Sequence, residues 1–137
     1  MNLKGILPPV PTPFIGDQIA PKKLSENLKK WNQSDLAGYL VLGSNGEAVM
    51  LNDNEKRELM VEARQGIPKN KIMMVGAGSE STIETIRFIH TAAECGSDCA
   101  LVITPSFYRS SLTQEVLYEH YWHIAEASKI GILLYNV

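Results

Sequence analysis

The feature that most constrains this chain is a rhythm: short, unbroken apolar runs alternate with amphipathic stretches of helical period. "GYLVLGS" (38–44), "KIMMVGAG" (71–78), "DCALVITP" (98–105) and "GILLYNV" (131–137) are predominantly apolar runs. A strand with one wet face alternates apolar and polar residues, so runs of this kind belong to strands covered on both faces, as in a parallel sheet wrapped by helices. "GILPPVPTPF" (5–14) is a further apolar run, and its prolines fit only strand ends or places where no ladder donor is needed.

Helical stretches lie between the runs. "PKKLSENLKKWNQSDL" (21–36) sets Leu24, Leu28 and Trp31 at helical spacing, with Pro21 suited to a first turn. "NDNEKRELMVEARQG" (52–66) opens with Asn52 and Glu55 in a capping-box spacing and closes at Gly66. Ser81 and Glu84 cap the next helix, which buries Ile86, Ile89 and Ala93 and ends at Gly96. "TQEVLYEHYWHIAEAS" (113–128) turns Leu117, Tyr121 and Ile124 inward.

Strand starts near residues 5, 38, 71, 98 and 130 give one unit per roughly 31 residues, and eight such units make the ~250 residues of a (β/α)8 barrel. An open, doubly wound sheet shows the same alternation, and 137 residues suit it equally. Periodicity does not choose between them. No Gly-x-Gly-x-x-Gly follows the first strand, and "GAGSES" (76–81) has only part of that spacing and reads as a strand-to-helix turn.

Composition narrows the partners. The net charge is −2, acids and bases are interspersed, and no Lys/Arg run exceeds two residues, so there is no electrostatic footprint for a nucleic acid or an anionic membrane. No window approaches the ~18 consecutive apolar residues of a membrane span, and "MNLKGILPPVPTPF" has neither a signal-peptide core nor an Arg-rich presequence. A cytoplasmic protein with a small-molecule partner is the expectation. Cys95 and Cys99 are too few for a disulfide framework and are read as reduced packing residues. His120 and His123, three apart beside Glu119, are read as surface or groove-lining residues rather than metal ligands, because no further ligand cluster accompanies them.

In either parallel architecture a ligand lies at the carboxyl ends of the strands. Those ends are "TPF" (12–14), "GSNGE" (43–47), "GAGS" (76–79), "TPSFYR" (104–109) and "YNV" (135–137). The Ser44-Asn45-Gly46 turn offers successive backbone N–H groups with little side-chain bulk, a geometry suited to a carboxylate or phosphate oxygen. It also reads as a plain strand-to-helix turn whose glycines only satisfy backbone dihedrals. Glu47 is expected to hydrogen-bond the loop or a neighbouring strand. Tyr108 and Tyr135 each read alone as packing residues; with Ser44 they form a possible hydroxyl chain, able to move protons where the oxygens approach within about 3 Å. Met73 and Met74 are core. Lys4, Lys71 and Lys129 precede strands, Lys22, Lys23, Lys29, Lys30 and Lys56 lie on polar helix faces, and Lys69 is in a loop, so no lysine is expected to face a ligand on the opposite rim.

"GILPPVPTPF", "GSNGE", "VITPSFYR" and "ILLYNV", in this order and at these separations, resemble the pyruvate-dependent class I aldolase family that includes dihydrodipicolinate synthase, N-acetylneuraminate lyase and 4-hydroxy-2-oxoglutarate aldolase. The resemblance implies a (β/α)8 TIM barrel, of which residues 1–137 form the N-terminal part of a single domain: about four βα units and the fifth strand. It implies a homo-oligomer, dimer or tetramer, acting on pyruvate or a related 2-oxo acid through a Schiff base to a lysine on the sixth strand, beyond this sequence. The 137 residues alone are then expected to be inactive. The pyruvate carboxylate would rest on the backbone around Ser44 and Asn45, Tyr135 would be the acid/base, and Ser44 would link Tyr135 to Tyr108, which the family contributes across a dimer interface. Ser44-Asn45 stands where the synthase branch has Thr-Thr and the neuraminate branch Ser-Thr, and with Phe107-Tyr108-Arg109 it looks most similar to the 4-hydroxy-2-oxoglutarate aldolase branch. Two other readings stand beside it: a half-barrel that serves as a binding or assembly module, and a self-contained open α/β domain with helices on both sheet faces.

Overall fold

A computed structural model describes residues 3–137. A small hairpin, β1 (Phe14–Ile15) and β2 (Gln18–Ile19), precedes α1 (Pro21–Trp31). There follow β3 (Gly38–Val41), α2 (Asp53–Gly66), β4 (Ile72–Ala77), α3 (Thr82–Glu94), β5 (Cys99–Ile103), α4 (Gln114–Ala127) and β6 (Gly131–Tyr135). Strands β3 to β6 form one parallel sheet in chain order, β3-β4-β5-β6.

That order decides the architecture. A doubly wound sheet reverses direction at a switch point and so places helices on both faces. Here the order never reverses, and right-handed crossovers between successive neighbours put every helix on the same face. Residues paired across the parallel ladder share a face, so Tyr39, Met73, Val75, Ala100 and Val102 look toward the helices. Leu40, Met74, Cys99, Leu101 and Leu133 look the other way. The helix-covered face carries two apolar clusters, one around Leu24, Leu28, Tyr39, Leu59 and Met73 under α1 and α2, the other around Ile89, Ala100, Val102 and Ile124 under α3 and α4. The open α/β domain with helices on both faces is therefore not this fold.

Local chemistry accounts for most boundaries. Asn52 accepts the Glu55 N–H (3.0 Å) while the Glu55 carboxylate accepts the Asn52 N–H (2.8 Å), closing the expected capping box. Ser81 accepts the Glu84 N–H at α3 (3.3 Å), but the Glu84 carboxylate pairs with Arg87 (2.9 Å) rather than reaching back. Ile89 is fully buried in α3, whereas Ile86 and Ala93 are half-buried and Ala92 takes the inner place beside it.

Two expectations need correction. The run 5–14 is not a laddered strand: Ala37 N–H donates to Ile6 O (3.0 Å), Leu40 N–H to Pro8 O (2.9 Å) and Val10 N–H to Leu40 O (2.9 Å), leaving one isolated bridge, Pro9 to Leu40. Its prolines accept but have no N–H to give back, so the stretch lies parallel beside β3 without completing a ladder. Helix α1 ends at Trp31, five residues before Leu36: beyond Asn32 the backbone tightens into Gln33 N–H on Lys30 O (3.2 Å) and Ser34 N–H on Trp31 O (2.9 Å), and the Asn32 side chain ties this exit down, its amide donating to Gly66 O (2.8 Å) and its oxygen accepting from the buried Tyr39 hydroxyl (2.8 Å).

Candidate functional site

All four parallel strands point their carboxyl ends toward one cavity of about 520 Å³. Leu40, Leu101 and Ile103 line its inner side, Gly43, Ser44 and Asn45 one rim, Gly76 to Ser79 the next, and Tyr135 the far edge. Helices that follow parallel strands begin at those same ends, so the first turns of α2 and α3 add Asp53, Lys56, Glu84 and Arg87 to the flank. Lys56 is therefore not simply on a polar helix face. It lines the cavity, 3.9 Å from the Asp53 carboxylate and 5.7 Å from the centre of the Phe88 ring.

The turn after β3 is held in an uncommon shape. Leu42, buried, has φ 57° and Glu47 has φ 53°, so two non-glycine residues in left-handed conformation bracket Ser44 to Gly46. Between them the chain makes a single 3-10 turn in which Gly46 N–H donates to Gly43 O (2.9 Å) and Glu47 N–H to Ser44 O (3.1 Å). The N–H groups of Ser44 and Asn45 open that turn, where no intrahelical carbonyl stands behind them. Both residues are exposed to the cavity, whereas Gly46 is buried. The Glu47 side chain makes no hydrogen bond among the described residues; its contribution is the backbone bend, its carbonyl accepting from Met50 N–H (2.9 Å).

Thr12, nearly buried, donates its hydroxyl to the Gly46 carbonyl (2.6 Å) and so ties the turn to the proline-rich segment. Gly76, on the inner face of β4, lets the Leu42 carbonyl approach so closely that an added Cβ would lie 2.3 Å from that oxygen.

Tyr135 closes β6 opposite Ile103, on the same face as Leu101 and Leu133. Its carbonyl accepts from the Thr104 N–H (3.1 Å) and the Thr104 hydroxyl (3.2 Å), and Thr104 Oγ1 lies 2.8 Å from the Tyr121 hydroxyl. Ser44, Asn45 and Tyr135 thus share one cavity. Tyr108 does not line it: its ring is exposed on the loop after β5, edge-on to Phe107 with centroids 4.9 Å apart. Among the described residues no hydrogen bond joins the Ser44, Tyr108 and Tyr135 hydroxyls within one chain.

The histidines separate. His123 is exposed, 3.6 Å from Glu119, whereas His120 is buried, so of the expected surface or groove-lining pair only His123 is at the surface. Its Nδ1 is 2.9 Å from Thr82 Oγ1, its Nε2 has no partner among the described residues, and burial lowers its pKa, against the opposing pull of the Glu80 carboxylate. Cys95 and Cys99 are free, buried thiols; burial, aided by the Asp98 charge, pushes Cys99 up to about 11. No group of three or more His, Cys, Asp or Glu that could hold a metal occurs among the described residues. No helix among them is long and apolar enough to cross a membrane.

A singly wound parallel sheet with its cavity at the carboxyl strand ends is the design of TIM-barrel enzymes. Comparison with known proteins makes the class specific: residues 2–137 match the dihydrodipicolinate synthetase family, and the chain belongs to that family. It is 35% identical over 136 residues to a 4-hydroxy-tetrahydrodipicolinate synthase of Bdellovibrio bacteriovorus, covering 99% of this chain and 46% of that protein. It is 41% identical over 109 residues to a probable mitochondrial 4-hydroxy-2-oxoglutarate aldolase of Emericella nidulans, covering 76% of this chain and 35% of that one. Among solved structures, a chloride-inhibited dihydrodipicolinate synthase of Acinetobacter baumannii complexed with pyruvate superposes with a TM-score of 0.93 at 31% identity, over 99% of this chain and 46% of that one. The chain spans about half the length of the curated relatives it matches.

Proposed function

We propose that these residues form the N-terminal part of a single (β/α)8 barrel domain and supply the carboxylate-holding and proton-transferring side of a Schiff-base lyase for pyruvate or a related 2-oxo acid. The observation that carries this is the meeting of the Ser44-Asn45 turn and Tyr135 in one cavity at the strand ends. Free N–H groups at Ser44 and Asn45 suit a carboxylate, and a tyrosine hydroxyl across the cavity suits proton transfer at the adjoining carbonyl. A lysine amine condensing with that carbonyl releases water to give an imine, which takes up a proton to become an iminium and then stabilises the neighbouring carbanion better than a ketone does. The nucleophile is assigned outside these 137 residues: Lys71 donates its ammonium to Ser34 O (2.9 Å) and Leu36 O (2.7 Å), at the opposite ends of the strands, and Lys56 is engaged with Asp53 and Phe88. Tyr108 completes the hydroxyl chain from a second subunit of a cytoplasmic homo-oligomer.

Borohydride trapping with pyruvate, performed on the full-length gene product that carries this chain, tests the reading. An adduct on a lysine beyond Val137 supports it, and an adduct on Lys56 overturns the assignment of the nucleophile. Tyr135→Phe in the same protein keeps its fold and loses turnover by ~10²-fold or more; unchanged kcat removes Tyr135 from the mechanism. The Ser44-Asn45 pair and the higher identity to the aldolase favour cleavage of 4-hydroxy-2-oxoglutarate, while alignment of the synthase over nearly the whole chain favours condensation of pyruvate with aspartate semialdehyde. Comparing kcat/KM for the two substrates separates these readings; the non-catalytic alternative is the half-barrel of residues 1–137 assembling through its open sheet edges, and sedimentation of that chain as a strict monomer would rule it out.

A further inference from the structure

Glu80 sits in the turn between β4 and α3, and nothing in the proposed chemistry uses it. That turn is pressed against the end of β5: Gly78, at φ 120°, leaves so little room that an added Cβ would lie 2.7 Å from Ile103 Cγ2. Two residues on, the Glu80 carboxylate reaches the loop that follows β5. Its Oε1 accepts the Ser106 N–H (3.1 Å) and its Oε2 accepts the Phe107 N–H (3.1 Å). Two consecutive backbone donors facing one carboxylate make a matched pair, and charge-assisted hydrogen bonds of this kind are the strong ones.

The loop has little else to hold it. Its own bonds are the Arg109 Nε donation to Ser106 O (3.3 Å) and the 3-10 turn made by Ser111 N–H on Tyr108 O (2.9 Å) and Leu112 N–H on Arg109 O (3.3 Å), and residues 106–111 are exposed. A second tie lies farther along, where Thr82 meets His120 on α4 (2.9 Å). The turn after β4 thus holds the loop after β5, and the first residue of α3 holds the helix that the loop leads into.

We infer that Glu80 is the positioning residue of the 106–111 loop: its carboxylate clamps the Ser106 and Phe107 amides and so fixes where the Phe107–Tyr108 aromatic pair stands. For catalysis the inference rests on the proposed role of Tyr108, but the clamp itself does not, and the test keeps the two apart. In the full-length gene product, residue-resolved hydrogen exchange reads the clamp. Glu80→Ala raises exchange at Ser106 and Phe107 about tenfold or more, the loss expected for a charge-assisted bond, while Thr104 N–H, bonded to Tyr135 O, is unmoved. Glu80→Gln, whose amide retains one accepting oxygen, restores protection at one of the two amides. Unchanged exchange at both amides in Glu80→Ala overturns the inference. In turnover, Glu80→Ala lowers kcat with the KM for pyruvate unchanged, Gln recovers part of it, and adding Tyr108→Phe causes no further loss. Exchange that responds as stated alongside full turnover in Glu80→Ala establishes the clamp and overturns the role of Tyr108.

Discussion

Thr12→Val removes one hydroxyl and almost no volume, which makes it the cleanest probe of how the Ser44 turn is held. The wild-type hydroxyl lies 2.6 Å from Gly46 O, with Thr12 only 8% exposed and Gly46 buried. Valine forfeits the net worth of that bond, about 1 kcal/mol, and leaves a buried carbonyl without its donor, which costs about 1–3 kcal/mol. Because the carbonyl sits at a turn that can shift toward water, the expected loss is about 2 kcal/mol. Thr12→Ser is the control: it keeps the hydroxyl and loses a methyl, costing about 0.8 kcal/mol. In urea unfolding of the full-length gene product, the midpoint should fall in the order Thr, Ser, Val with the slope unchanged, since none of these variants alters the surface exposed on unfolding. If Ser44 and Asn45 hold a carboxylate, Val also raises KM for the 2-oxo acid more than Ser does. A Val variant at least as stable as the Ser variant would show that packing, and not the hydroxyl, secures the turn.

Gly76→Ala drives a Cβ to within 2.3 Å of the Leu42 carbonyl oxygen, a backbone atom that cannot rotate away, so stability should fall by about 3 kcal/mol; an unchanged thermal midpoint would show that β3 and β4 do not approach this closely. Burial and the Asp98 charge push Cys99 up to about 11, so at pH 8 it is a neutral thiol and labelling should proceed only as fast as the chain opens. A raised thiol pKa also means that its stabilisation is complete below the unfolded value and is lost as pH rises from there toward 11. Immediate stoichiometric modification of Cys99, read by mass spectrometry, would contradict its placement. The His120 pKa is lowered by burial, against the pull of Glu80, so the unfolded chain takes up a proton near pH 6.5 that the folded chain resists. Stability is then full above that pH and declines below it, and His120→Phe should show a smaller decline between pH 7.5 and 5.5; parallel declines in the two proteins would rule His120 out as their source.

The sheet was legible because its signal is local. Continuous apolar runs at 38–44, 71–78, 98–105 and 131–137 became β3 to β6, and Asn52 with Glu55 announced α2 through a contact three residues long. What misled was non-local. The proline segment read as a further strand; it lies beside β3, but strand character requires donors that Pro8, Pro9, Pro11 and Pro13 lack. The exit of α1 is tied down by Asn32 bonding to Gly66 and Tyr39, an arrangement that no local pattern encodes. Coverage of both sheet faces was inferred from apolar content, yet helices cover only one, and the other turns to the cavity. An inner barrel face and a helix-covered face read alike in sequence, since both are dry.

For the site, strand-end topology brought Ser44, Asn45 and Tyr135 to one cavity, whereas Tyr108, nominated with them, lies five residues past the end of β5 and does not line it. The same topology, carried one step further, would have placed Lys56, because a helix returning from a strand end begins at the cavity's lip. The supports escaped notice because each is a side chain meeting a distant group: Thr12 on Gly46 O, Thr104 on Tyr135 O, Glu80 on two amides. Their common effect is best seen at Leu42. A left-handed leucine costs ~1–2 kcal/mol and persists only where its surroundings over-determine it. Here the side chain is buried, the bare Gly76 makes room for its carbonyl, and Thr12 anchors the turn at Gly46, four residues beyond. A turn strained at its entry and fixed at its exit is ordered before any ligand arrives, so the carboxylate proposed to rest on Ser44 and Asn45 would not have to supply the cost of ordering them.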